Sequence, residues 1–108
     1  MKVFYRQVAS SDIIRQFRYY LVERNLPEIA SRFRDAVRQT IESLRAHPRA
    51  GARYRLGNPP LQNLRSWPVA GFEVIRIYYL VDHEAIHVIR VLHGKRDLKS
   101  VLEGGGKT

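Results

Sequence analysis

The sequence predicts an α+β domain in which a two-helix hairpin covers one face of a mostly antiparallel sheet. Three observations support this prediction: an N-terminal strand-like segment, two amphipathic helical segments, and three strand-like runs joined by short turns. With 108 residues and no cysteine, the chain has the length of one domain built on an apolar core rather than on disulfides. We expect a single domain over residues 1–103 and a flexible tail over residues 104–108.

The first half of the chain predicts a strand followed by two antiparallel helices. Apolar residues within the segment 2–8 indicate the strand, and the two serines before Asp12, together with its charge, favour a helix start there. An apolar stripe then continues to about Asn25. Pro27 suits the first turn of a second helix, which ends at His47. The two helices form the predicted hairpin.

Three strand-like runs follow a basic loop that spans residues 48–60. The runs are Leu61–Trp67, Phe72–Val81 and Ala85–Leu92, and the short gaps between them predict an antiparallel meander. Both faces of the middle run are largely apolar, which predicts a central strand covered by the hairpin on one side. A closing helical turn is expected over residues 97–102.

The composition predicts a cytoplasmic protein with an acidic or polyanionic partner. The formal net charge is +9 and comes mostly from arginine, whose planar guanidinium suits phosphate and carboxylate groups. No apolar run reaches the length of a membrane span, and the N-terminus does not resemble a signal peptide. The motifs of zinc, thiol and phosphate-loop chemistry are missing, and the four histidines are scattered, so we expect neither a cofactor nor a metal.

The candidate binding residues are basic side chains on the strands and just beyond the last strand: Arg65, Arg76, Arg90, Lys95 and Arg96. We expect them to converge. Arg76 lies in an otherwise apolar strand, so it must reach an acidic side chain such as Glu73 or Asp97, the sheet edge or an external anion. Trp67 is interpreted as a core residue in preference to a stacking platform for a base.

A resemblance to a known family extends over nearly the whole chain and is strongest from Leu64 to Leu102. Gly71 and Phe72, the segment Arg76–Tyr79, the turn at Asp82 and the ending Arg90–Leu98 together resemble the ParE branch of the RelE/ParE toxin superfamily. The resemblance implies the toxin of a type II toxin–antitoxin system of the plasmid-stabilisation type. A cognate ParD-like antitoxin would neutralise it and would be needed for any binding to operator DNA.

The superfamily offers two activities. RelE-like members cleave messenger RNA in the ribosome, whereas ParE-like members inhibit DNA gyrase without a chemical step of their own. A ribonuclease site would use Arg65, Arg76, His93 and Arg96, but the C-terminal tyrosine of such nucleases falls at about Leu102 here. The resemblance therefore favours gyrase inhibition over RNA cleavage, and an inactive subunit that acts only as a corepressor with its antitoxin is a third hypothesis.

For target or partner binding, the basic candidates are Arg65, Arg76, His93, Lys95, Arg96 and Lys99. The exposed face of the helical hairpin is the other candidate surface.

Overall fold

A computed structural model describes residues 1–53 and 62–94 and confirms the α+β class. Within those residues the elements are, in chain order, β1 (Lys2–Tyr5), α1 (Gln7–Arg18), a π-helical turn (Tyr19–Glu23), α2 (Pro27–Ala46), β2 (Ala52–Arg53), β3 (Arg65–Val69), β4 (Phe72–Val81) and β5 (Ala85–His93). The predicted tail 104–108, the predicted helical turn 97–102, and the candidates Lys95, Arg96 and Lys99 lie outside the described residues.

The described strands form one sheet in the order β1-β5-β4-β3-β2. The predicted meander is confirmed, because β4 lies at the centre and pairs antiparallel with both β3 and β5. The N-terminal strand β1 pairs parallel with β5, so the sheet is mixed. Part of the predicted basic loop forms the two-residue strand β2, which pairs with β3. The prediction of a strand over Leu61–Trp67 is displaced towards the N-terminus, because β3 runs from Arg65 to Val69. Its pairing with β4 shifts register between Pro68 and Val69.

The start of α1 differs from the prediction. The helix begins at Gln7, and its N-cap residue Arg6 makes no side-chain capping hydrogen bond. Asp12 therefore lies in the middle of the helix, where it is fully buried. Its carboxylate accepts a hydrogen bond from the Val91 amide of β5, at 3.0 Å, so Asp12 makes a tertiary contact and is not the predicted first-turn charge.

The core lies between the helical hairpin and one face of the sheet. Pro27 occupies the first turn of α2 as predicted, and the buried positions of that helix recur at three- and four-residue spacings. The buried side chains that form this core come mainly from three elements: Phe33, Val37, Ile41 and Leu44 of α2, Ile75, Ile77 and Tyr79 of β4, and Ile86, Val88 and Val91 of β5. Trp67 is half-buried and packs against them, which confirms its interpretation as a core residue.

The buried Tyr79 hydroxyl joins the end of α2 to the sheet. It donates a hydrogen bond to the Pro48 carbonyl at 2.8 Å and accepts one from the Gly51 amide at 2.9 Å. A Cβ atom at Gly51 would lie 2.5 Å from this hydroxyl oxygen and 2.8 Å from the carbonyl oxygen of Ser66. Only glycine allows this close approach of the chain to the tyrosine.

No helix among residues 1–53 and 62–94 has the length and apolar character to cross a lipid bilayer.

Candidate functional site

Arg65 and Arg76 do not converge, so the prediction of one cationic cluster is wrong for these two residues. In the β3–β4 pair, Arg65 is opposite Tyr79 and Arg76 is opposite Pro68. These positions are three residues apart along β4, and successive side chains of a strand point to opposite faces. Arg65 and Arg76 therefore lie on different faces of the sheet.

Arg65 fastens the segment that leads from α2 into β2. Its Nη1 atom donates hydrogen bonds to the carbonyl oxygens of Arg49 and Gly51, at 3.1 and 2.8 Å. These two bonds hold the segment against β3, which gives Arg65 a structural role that the sequence did not indicate.

Arg90 is neutralised inside the protein. Its Nε and Nη2 atoms donate to the two carboxylate oxygens of Asp12, at 2.8 and 2.9 Å, and the Arg90 side chain is only 15% exposed. The hydrogen bonds from Asp12 favour the charged guanidinium and raise the pKa of Arg90 further above its usual range. A bidentate buried pair of this kind leaves little of the Arg90 charge for an external partner.

The Asp12–Arg90 pair closes the free edge of β5 beyond the end of β1. The pairing of β5 with β4 shifts register between Tyr78 and Tyr79, and this leaves Ile89 as an additional residue ahead of Arg90. Val91 donates its amide to Asp12 and accepts a hydrogen bond from Gln16 Nε2 at 3.0 Å. Two α1 side chains one helical turn apart thus replace a neighbouring strand at this edge. Their four-residue spacing places both side chains on one face of α1, but it does not indicate which strand they contact.

Arg76 contacts a hydroxyl group rather than a carboxylate. Its Nε and Nη2 atoms contact the buried Ser66 hydroxyl, at 3.3 and 3.1 Å, and no carboxylate in the described parts of the chain lies within ion-pair distance. Of the alternatives left open for Arg76, the ion pair with Glu73 is not formed, and that carboxylate accepts the Gly71 amide at 2.8 Å. The alternative partner Asp97 lies outside the described residues. The Arg76 side chain also borders Gly94, where a Cβ would lie 3.3 Å from its Cδ.

A cavity of about 660 Å³ opens where the π-helical turn meets the ends of β4 and β5. We call it the end cleft. It is lined by Arg15, Gln16, Tyr19, Tyr20, Glu23, Arg24, Val74, Ile75, Leu92 and His93. Val74 is 54% exposed, and His93, a predicted site residue, is exposed at the mouth. Arg24 donates to the Tyr19 hydroxyl at 3.3 Å, which raises the pKa of the Arg24 guanidinium. The cleft therefore combines apolar surface with cationic groups.

The second accessible surface is apolar and lies on the outside of the helical hairpin. We call it the hairpin ridge and define it by Ile14, Leu21, Val22 and Leu26. Ile14 is 57% exposed and Val22 is 63% exposed, and none of the five residues of the π-helical turn is fully buried. Several exposed apolar side chains within residues 14–26 are typical of a surface that binds another protein.

Within the described ranges, no three histidine, aspartate or glutamate side chains lie close enough together to hold a metal ion. The titratable groups that the structure does bring together serve the fold, as in the Asp12–Arg90 pair, or a turn, as in the contact between His87 and Asp82 at 3.1 Å.

The family model for the ParE toxin of the type II toxin–antitoxin system parDE matches residues 3–98. The chain therefore belongs to the ParE toxin family.

A solved structure supports the fold independently. The chain is similar to a chain of the chromosomal ParDE toxin–antitoxin system from P. aeruginosa, with a TM-score of 0.68 and 17% sequence identity over 86% of this chain and 95% of that chain. No curated protein matches this chain in sequence.

Proposed function

We propose that this toxin inhibits DNA gyrase in the cytoplasm and that a cognate ParD-like antitoxin neutralises it. The observation that carries the choice of gyrase over RNA is the separation of the strand arginines. A ribonuclease of the RelE type needs several cations around one phosphate, together with groups that exchange protons with the ribose and the leaving oxygen. Here Arg65 is fastened to backbone carbonyls, Arg90 is paired with Asp12, and Arg76 lies on the other face from Arg65.

The hairpin ridge is the surface that we assign to gyrase. Inhibition without a chemical step requires a protein–protein contact, and exposed apolar side chains supply the binding energy of such contacts. The arginines around the ridge, such as Arg18 and Arg24, would steer the toxin towards an acidic protein surface or towards DNA held by the enzyme.

The test is supercoiling by purified gyrase in the presence of the toxin and its variants. Val22→Asp places a charge on the ridge and should raise the toxin concentration for half-inhibition about tenfold or more, the size of effect expected of an interface centre. Val8→Asp is the matched control, because it introduces the same charge at another exposed valine. Val8 lies at the start of α1 and is not part of the hairpin ridge. Full inhibition by Val22→Asp, or equal losses in both variants, would contradict the assignment.

The end cleft is the surface that we assign to the antitoxin. An acidic, partly apolar segment would meet Val74 and Tyr19 as well as the guanidinium groups of Arg15 and Arg24. Arg24→Glu should weaken the complex with the antitoxin encoded beside the toxin, measured by calorimetry, whereas Arg38→Glu on the exposed side of α2 should not. Equal affinities for both variants would place the antitoxin elsewhere.

Operator binding is proposed only for the toxin–antitoxin complex. An inactive toxin that serves as a corepressor would bind operator DNA together with its antitoxin and would leave supercoiling by gyrase unaffected.

RNA cleavage is retained as a second candidate function because of Arg76. A half-buried guanidinium that has no described carboxylate partner is suited to an external phosphate. Codon-phased cuts in translated messenger RNA, with normal supercoiling by gyrase and loss of the cuts in Arg76→Ala, would replace gyrase inhibition with a ribonuclease mechanism.

A further inference from the structure

A small basic cavity lies at the opposite end of β4 from the end cleft. We call it the arginine cavity; its volume is about 200 Å³, and it is lined by Arg49, Arg53, Asn63, Arg65 and Val81. The lining of the end cleft includes Val74, near the start of the same strand. A strand rises about 3.3 Å per residue, so Val74 and Val81 lie on the order of 23 Å apart along β4. The two cavities are therefore separate sites.

The strand residues of the arginine cavity all lie on the face of the sheet that carries the helical hairpin. Arg53 is opposite Arg65 in the β2–β3 pair, and Arg65 is opposite the core residue Tyr79 in the β3–β4 pair. Opposite residues project from the same face, and so does Val81, two residues beyond Tyr79. Arg49 lines the same space from the segment that follows α2. A single small ligand can therefore meet all three arginines.

Hydrogen bonds hold two of the three guanidinium groups in position. Arg65 is fixed through Nη1 by its bonds to the carbonyl oxygens of Arg49 and Gly51. Arg53 Nη2 donates to Asn63 Oδ1 at 2.7 Å. These bonds engage only part of each guanidinium, which carries five N–H donors. Donors that are already oriented lose little conformational entropy when they bind an anion.

In residues 1–53 and 62–94, no carboxylate lies within ion-pair distance of any of the three arginines. The sequence has no aspartate or glutamate between Glu42 and Glu73, an interval that contains five arginines. Asp82, just beyond β4, accepts the amides of Glu84 and Ala85, both at 2.8 Å, so its carboxylate serves the β4–β5 turn. The described part of the chain thus supplies the cavity with cations and no counter-ion.

We propose that the arginine cavity binds a phosphate group, carried by a nucleic-acid strand or present as free phosphate. A tetrahedral phosphate presents oxygens to several guanidinium groups at once, and arginine and asparagine are common donors to nucleic-acid phosphates. An acidic peptide is a poorer fit, because Val81 is the one apolar side chain in the described lining. Guanidinium and amide groups do not exchange protons near neutral pH, so the site binds phosphate without cleaving it.

The first experiment measures binding of fluorescein-labelled single-stranded (dT)8 to the full chain by fluorescence anisotropy at several salt concentrations. Arg49→Ala/Arg53→Ala should weaken binding about tenfold or more, because it removes charge-assisted hydrogen bonds. It should lower the salt slope by roughly 0.7, the contribution of one single-strand phosphate, since both arginines meet the same phosphate. Arg65 is left intact because its bonds support the fold.

Arg18→Ala/Arg32→Ala is the matched control. It removes the same charge from two other exposed arginines that have no ion pair within the described ranges. These charges attract the strand only at long range, where salt screens them, so the affinity should fall less than about threefold.

A second measurement separates recognition by the guanidinium groups from general attraction by charge. Arg49→Lys/Arg53→Lys keeps both charges but removes the planar arrangement of donors, so it should weaken (dT)8 binding severalfold without lowering the thermal unfolding midpoint. Inorganic phosphate, added at matched ionic strength, distinguishes the two sources of the ligand. Displacement of (dT)8 by inorganic phosphate would identify free phosphate, and (dT)8 binding that inorganic phosphate does not reverse would identify a nucleic-acid strand.

Three results would overturn the proposal. The first is the absence of (dT)8 binding by the unaltered chain at low salt, and the second is an equal loss of affinity in the Arg18→Ala/Arg32→Ala control. The third is unchanged (dT)8 binding by Arg49→Lys/Arg53→Lys together with equal competition by a poly-glutamate peptide, which would mean that the arginines attract any anion. None of these results depends on the assignment of gyrase, because the binding assay contains no gyrase.

Discussion

Removal of the Asp12 carboxylate is the most informative perturbation of this fold. The carboxylate is fully buried and accepts four hydrogen bonds: 2.8 and 2.9 Å from Arg90, 3.0 Å from the Val91 amide and 3.1 Å from Arg15. In Asp12→Ala the Arg90 guanidinium would stay 15% exposed without a counter-ion. Loss of one partner from a buried ion pair costs about 3–5 kcal/mol, a large share of the roughly 5–15 kcal/mol by which a domain is stable.

The assay is reversible urea unfolding followed by circular dichroism, with a thermal scan as a second readout. A loss of about 3 kcal/mol corresponds to a fall of roughly 12 °C or more in the unfolding midpoint for a domain of this size. Asp35→Ala is the matched control, because Asp35 also faces two arginines, at 3.6 and 3.8 Å, but is half exposed. An exposed pair of this kind contributes less than about 1 kcal/mol.

A second substitution separates the lost charge pair from other effects of the mutation. Arg90→Met should destabilise the unaltered protein, because it leaves Asp12 buried without its partner. The same change in an Asp12→Leu background should instead raise the free energy of unfolding, because it removes a buried charge that has lost its counter-ion. The reasoning is refuted if Asp12→Ala costs no more than Asp35→Ala, or if Arg90→Met is destabilising in both backgrounds.

Three further predictions concern the packing of the sheet and its turns. Gly51→Ala should cost about 1–3 kcal/mol in urea unfolding, because its Cβ would lie 2.5 Å from the Tyr79 hydroxyl oxygen, and an unchanged midpoint would contradict this close approach. Thr40→Val should cost about 1–3 kcal/mol, because the Ala70 amide, which donates to the Thr40 hydroxyl at 3.1 Å, would lose its acceptor, whereas Thr40→Ser should be far milder. Hydrogen bonds from two turn amides and a histidine lower the pKa of Asp82 from 3.8 to about 2, so its contribution to stability is present above pH 4 and is lost as the pH falls through about 2. The difference in free energy of unfolding between the unaltered protein and Asp82→Asn should therefore shrink over that interval, and a constant difference from pH 5 to pH 2 would contradict it.

The elements with regular apolar periodicity could be predicted from the sequence. The bounds of β4 match the prediction, and α2 runs from Pro27 almost to the predicted end at His47. In both elements, local pattern and tertiary burial favour the same structure, because the apolar stripe is also the surface that packs in the core. The placement of β4 at the centre of the sheet followed from its two apolar faces and is confirmed by the strand order.

The start of α1 and the roles of the arginines could not be predicted in this way. A serine pair before an aspartate is a good local signal for a helix N-cap, but the signal does not show that Asp12 is needed 78 residues away at Arg90. Similarly, the sequence places Arg65 and Arg76 on neighbouring strands but does not give the β3–β4 register, which determines whether they share a face. Long-range pairing decides both points.

The structure also changes what the net charge of +9 means for binding. The charge of Arg90 is neutralised by Asp12. Arg65 donates hydrogen bonds to two backbone carbonyls, so fewer of its N–H groups are available to a partner. Exposed arginines without a described carboxylate partner, such as Arg49 and Arg53, keep their full positive charge available to a ligand. The salt dependence of binding counts the cations that a ligand actually meets. A charge total ranks this chain as generally basic, whereas the internal partners of its arginines determine which of them a ligand can meet.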